Sequence, residues 1–92
     1  MKIHIRYFAS VREHLGAGEA LVWPDDAAQD QGGPPRTVGE LREWLIARSP
    51  RHAQALDHAK ALRMALDQTM CKPDQPLSDG AEVAFFPPVT GG

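Results

Sequence analysis

The chain has 92 residues, 42% of them hydrophobic, which suits one small domain with one core and excludes disorder of the whole chain. Twelve acids against ten bases leave a formal charge of −2 with no basic run, so nucleic acid is not an expected partner. The apolar runs are too short to span a bilayer, and a single cysteine, Cys71, excludes an internal disulfide framework.

Ile3, Ile5 and Tyr7 alternate with His4, Arg6 and Phe8, which predicts a strand with the first three facing the core. The same opening reads as structure, not as a signal peptide, so a soluble cytoplasmic protein is expected. Residues 9–15 suit a short helix, stopped by Gly16 and Gly18. Ala20, Leu21, Val22 and Trp23 form a second strand candidate, returning hairpin-like on the first. Residues 24–36 hold three prolines, two glycines and three aspartates without an apolar period, and predict a mobile, functionally neutral loop.

Thr37 and Glu40 then read as a capping box. Val38, Leu41, Trp44, Leu45 and Arg48 follow at helical spacing, predicting a helix over 38–48 that Ser49-Pro50 ends. Residues 52–60 read as a short irregular helix or coil. Leu62, Met64 and Leu66 alternate as a strand, Asp67-Gln68 suit a tight turn, and Thr69-Met70-Cys71 a short return strand. Residues 76–80 carry turn chemistry. Residues 82–86 form the last strand, with Val83 and Phe85 inward, stopped by Pro87-Pro88. Strands before and after one main helix predict an α+β fold, a mixed sheet with that helix on one face.

Alternation leaves Phe8 and Phe86 on the sheet face opposite the core. They are either a docking patch or covered by the loop or by residues 52–60. Trp23 and Trp44 read as packing residues. Cys71 reads as an inert strand cysteine. His4, His14, His52 and His58 lack metal-ligand spacing, so no metal site is expected. No nucleophile and base stand in a catalytic pattern, which argues against a stand-alone enzyme.

The remaining chemistry lies at the end. After Phe86 come Pro87, Pro88, Val89, Thr90, Gly91 and Gly92. The prolines predict a stiff extended stalk, and the six residues could reach about 20 Å. Gly91 and Gly92 carry no side chain, so this end could enter a channel that a larger terminus would block. Its carboxylate is a poor electrophile until activated. Attack on the α-phosphate of ATP would give an acyl-adenylate, and a sulfur nucleophile could then give a thiocarboxylate. A terminal glycine pair alone arises by chance roughly once in 200 chains, so a frayed end is the competing account.

The run from Pro76 to Gly92, PLSDGAEVAFFPPVTGG, resembles the ubiquitin-like β-grasp sulfur carriers, and within them the small subunits of molybdopterin synthase. The opening Tyr7-Phe8-Ala9-Ser10-Val11-Arg12-Glu13 is also similar, and the likeness covers nearly the whole chain; only the 24–36 loop looks longer than usual. The resemblance implies a β-grasp domain over 1–86 and a tail over 87–92. It implies that a ubiquitin-activating-enzyme-like adenylyltransferase, using ATP and magnesium, activates Gly92 for conversion to a thiocarboxylate. The tail would then enter a pocket of the large synthase subunit and pass sulfur to cyclic pyranopterin monophosphate, within a heterotetramer. Catalytic side chains would lie on the large subunit, and this chain would bind no cofactor. Met70 joins Phe8 and Phe86 by resemblance, and Pro87, Pro88, Val89 and Thr90 join as partner contacts. The alternatives are a carrier for thiamin biosynthesis or tRNA thiolation, and a ubiquitin-like protein modifier.

Overall fold

The computed structural model describes residues 1–24 and 33–88. Most of the predicted loop, and Val89, Thr90, Gly91 and Gly92, lie outside the described residues. The elements run β1 (Lys2–Tyr7), α1 (Ala9–Leu15), β2 (Gly18–Val22), α2 (Val38–Ile46), α3 (Pro50–Leu56), β3 (Arg63–Leu66), β4 (Thr69–Cys71) and β5 (Glu82–Phe86).

The strands form one mixed sheet in the order β2-β1-β5-β3-β4. β1 and β5 pair in parallel at its centre, with Tyr7 opposite Phe85, and the other pairings are antiparallel. Ile3, Ile5, Tyr7, Val83 and Phe85 are buried on one face, as their alternation predicts, and Leu41, Leu45 and Leu56 of the helices join them in the core. The fold is therefore α+β, with α2 the longest helix and two shorter ones beside it.

Three local expectations shift. The predicted helix over 38–48 ends at Ile46, and Arg48 lies beyond it, 5.5 Å over the Trp44 ring. Ser49-Pro50 starts a helix instead of only stopping one: Ser49 Oγ accepts from the His52 amide, and Pro50 sits in the first turn of α3. Proline is favoured there because the first amides have no partner within the helix. Trp23 falls just after β2 and packs edge to face on Trp44 at 5.1 Å.

The start of α2 is held by more than its cap. Thr37 Oγ1 accepts from the Glu40 amide, but the Glu40 carboxylate reaches the amide of Arg36 and not that of Thr37. The Val38 and Gly39 amides donate to the carbonyls of Gln75 and Pro73, which satisfies donors the helix cannot pair itself. A Cβ at Gly39 would stand 3.0 Å from both the Cβ and the carbonyl oxygen of Pro73, so a larger residue there would press Pro73 away from the helix start. At the other end of the helix layer, Arg42 is buried and donates to the carbonyls of Leu56, Asp57 and Lys60, closing the end of α3. Burial pushes its pKa down, while Glu43 and Asp57 favour the charged form.

Glu19 stands on the core-side face of edge strand β2, opposite Ile5. Tyr7 Oη donates to its Oε2 at 2.8 Å, His52 Nε2 lies 3.0 Å from the same oxygen, and Arg48 pairs with Oε1. Burial raises the carboxyl pKa, but the hydrogen bonds from His52 and Tyr7 and the charge of Arg48 outweigh it, leaving the value below the ordinary 4.5. Burial, and then Glu19, push the Tyr7 hydroxyl up. The carboxyl thus titrates lower in the folded than in the unfolded chain. Its stabilising effect is complete above the ordinary, unfolded-state value of 4.5 and is lost as pH falls through the lower folded-state value. Glu19→Gln should lower the melting temperature at pH 7 and flatten the loss of stability below pH of about 5. Urea titrations at several pH values check this; parallel curves for parent and variant would contradict it.

Candidate docking face and tail root

The outer face of the sheet is built from the residues that alternate with the core. Ala65 and Ala84 stand opposite each other on β3 and β5, and Met70 stands opposite Ala65 on β4. Two methyl side chains side by side sink the middle of this face. Phe8, Phe86 and Met70 rise around it, and Arg6, Gln68 and Glu82 complete the rim of a groove of about 340 Å³. Phe8 and Phe86 meet edge to face at 6.5 Å. Phe8 is 38% exposed and Met70 57%, an unusual display of apolar surface for a small domain.

Phe8 owes its place to the chain's departure from β1. Its amide donates to the Phe85 carbonyl, and its own carbonyl accepts from Val11 and Arg12 as the residue capping α1. Ala9 follows at φ 53°, a left-handed conformation that turns the chain into the helix and leaves the Phe8 ring on the sheet. The Arg6 guanidinium lies 5.4 Å over that ring and 3.7 Å from Glu82.

The structure thus brings Phe8, Met70 and Phe86 together. Residues 52–60, an alternative cover for this face, pack on the core side instead: α3 lies against α1 and α2, with Ala55 and Leu56 buried. Pro87 and Pro88 continue from β5, half-buried. Because β5 lies between β1 and β3, they leave from the middle of the sheet, beside Phe86. Val89, Thr90, Gly91 and Gly92, the rest of the predicted tail, lie outside the described residues.

Gln68, Arg6 and Glu82 were not singled out from the sequence as groove residues. Alternation places a residue on a face, but only the register shows which residues across strands share a depression. The meeting of Ser49, His52 and Glu19 is likewise not foreshadowed by their spacing: Ser49 Oγ lies 2.7 Å from His52 Nδ1, and His52 Nε2 meets Glu19. This is a hydrogen-bonded chain of hydroxyl, imidazole and carboxylate. The Ser49 oxygen is also the helix cap, accepting from the His52 amide, which accounts for the arrangement as an anchor of α3 to the sheet edge. A larger cavity, about 440 Å³ between Gly39, Met64 and Pro73, opens on the helix side, away from Phe8 and Phe86.

Among the described residues no group of His, Cys, Asp and Glu could hold a metal ion, and no helix is long and apolar enough to cross a membrane. Cys71 is free, and burial followed by the charge of Asp74 pushes its thiol pKa up, which disfavours the reactive thiolate.

A family model described as the ThiS family matches residues 5–92. The chain is 46% identical over 90 residues to the molybdopterin synthase sulfur carrier subunit of Escherichia coli K12, covering 98% of this chain and 99% of that one. Among solved structures, SAMP1 from Haloferax volcanii superposes with a TM-score of 0.68 at 20% identity, covering the whole of both chains. A complex of subunits 1 and 2 of the molybdopterin-converting factor from Helicobacter pylori matches with a TM-score of 0.61 at 21% identity, again over all of both chains. At these identities the two structures speak for the fold, which they share with this chain.

Proposed function

Because the chain belongs to the ThiS family, we propose that it is a sulfur carrier of molybdenum-cofactor biosynthesis, acting as the small subunit of a molybdopterin synthase. The observation that carries this reading is the match to the Escherichia coli carrier subunit over 98% of the chain, joined to a family match that runs through Gly92.

The chemistry starts at the Gly92 carboxylate. One of its oxygens attacks the α-phosphate of ATP, bound with magnesium on a ubiquitin-activating-enzyme-like adenylyltransferase, and pyrophosphate leaves. A sulfur nucleophile then displaces AMP and yields the thiocarboxylate. Glycine at positions 91 and 92 leaves room for the bulky groups these steps place beside the carbonyl. The tail next enters the large subunit, and sulfur passes to cyclic pyranopterin monophosphate, twice for each dithiolene. Acid-base side chains are supplied by the large subunit, so this chain acts as a co-substrate within a heterotetramer. Phe8, Met70 and Phe86 dock the body, while Pro87, Pro88, Val89 and Thr90 line the entry of the tail.

Incubation with ATP, an activating enzyme and a sulfur source should convert the intact mass to that of one oxygen replaced by sulfur. Lysine-linked conjugates without that shift would favour a protein modifier instead. Sulfur loading with delivery to a thiamin or tRNA acceptor, and none to the pterin, would move the chain to another pathway.

A further inference from the structure

The turn between β3 and β4 holds Asp67 at φ 49° and Gln68 at φ 70°, both left-handed. Two-residue hairpin turns of this kind favour Asn, Asp or Gly. Asp67 has a local reason to be there: its amide donates to the Glu82 carbonyl, and its Oδ1 accepts from the Glu82 amide at 3.0 Å. Gln68 has none. Its side chain makes no hydrogen bond among the described residues, it is exposed, and it lines the groove with Phe8, Met70 and Phe86. The two-residue hairpin that pairs Leu66 with Thr69 requires this conformation at both positions, so what has no local explanation is a long amide side chain at the second of them.

We infer that Gln68 is a contact residue for the large synthase subunit, its side-chain amide hydrogen-bonding a polar group of that subunit seated in the groove. The inference rests on the function proposed above. A subunit that receives the residues beyond Pro88 has to sit over Phe86, and Phe86 is a wall of the groove that Gln68 rims. The turn is fastened to β5 through Asp67 and Glu82, so the amide is held in register with the tail root. A glutamine amide both donates and accepts, which suits a backbone peptide group on the partner.

Affinity for the purified large subunit, measured by calorimetry, is compared for the parent, Gln68→Gly, Gln68→Asn and Met70→Ala, with denaturant stability measured alongside. Gly and Asn both tolerate the left-handed turn, so both variants should be more stable than the parent. Gln68→Gly should nevertheless bind about five-fold more weakly, the effect of one lost hydrogen bond, while Gln68→Asn, which keeps an amide, should stay within about two-fold. Unchanged affinity in Gln68→Gly, with Met70→Ala weakened, overturns the role of Gln68 and leaves the groove standing. An equal loss in Gln68→Asn and Gln68→Gly overturns the amide contact. Unchanged affinity in Met70→Ala as well overturns the docking face itself.

Discussion

A variant carrying one bulky residue after Gly92 should fold as the parent does and fail to support pterin sulfuration. Among the described residues the core has no member beyond Phe85, and Pro87 and Pro88 follow the last strand, so an addition at position 93 should leave the core intact. Its effect falls on the chemistry alone. The carboxylate is displaced by one residue, and on the proposed chemistry a side chain now stands beside the oxygen that must bond to the AMP phosphorus and the carbon that must then accept sulfur. A rate loss of about a thousand-fold or more is expected, because reacting atoms misplaced by a single residue lose the orientation that catalysis relies on. Three readouts separate the causes. Denaturant stability should be unchanged, the sulfur-loaded mass should be absent, and dithiolene formation by the reconstituted synthase should fall to background. Normal pterin sulfuration by this variant would refute the proposed chemistry.

Phe85→Ala and Phe86→Ala should separate folding from binding at adjacent positions. Phe85 is fully buried and stacks near Tyr7, with ring centroids 6.5 Å apart. Its truncation should cost about 3–5 kcal/mol, a large part of the roughly 5–15 kcal/mol that holds a domain of this kind together. Phe86 lies on the other face, half-buried, where its ring meets that of Phe8 edge to face and lines the groove. Its truncation should cost about 1 kcal/mol of stability and weaken large-subunit binding ten-fold or more, as expected of an aromatic anchor at roughly 2 kcal/mol. Thermal unfolding and a binding titration on both proteins check the pair. If Phe86→Ala unfolds as readily as Phe85→Ala, the ring belongs to the core and the docking face is wrong.

The features legible in the sequence were those set by periodicity. Ile3, Ile5 and Tyr7, and Val83 and Phe85, face the core as their alternation predicts, because a strand's side chains can only point two ways. The Asp67-Gln68 turn and the Thr37 cap were legible for a similar reason: each depends on bonds within a few residues. Ser49-Pro50 was half-read, since proline marks both the end of one helix and the first turn of another. What periodicity does not carry is the pairing of distant strands. The parallel contact of β1 with β5 joins distant parts of the sequence and sets Arg6 beside Ala84, while the pairing of β5 with β3 sets Ala84 beside Ala65, and together they make the groove. The Glu19 hub draws partners from β1, the α2–α3 connection and α3, and no local pattern foretells such a meeting. The Gly91-Gly92 pair stands in the sequence itself, whereas the groove beside Phe8 and Phe86 takes shape only once the sheet is assembled.

The central position of β5 has a consequence for synthesis in the cell. The strand that completes the sheet is made last, and until it inserts, β1–β2 and β3–β4 are two separate hairpin-like pairs with no common middle. Such long-range closure is slow relative to local pairing. Until residues 82–86 have been made, the chain has neither the centre of its sheet nor the side of the outer groove that Glu82, Ala84 and Phe86 line.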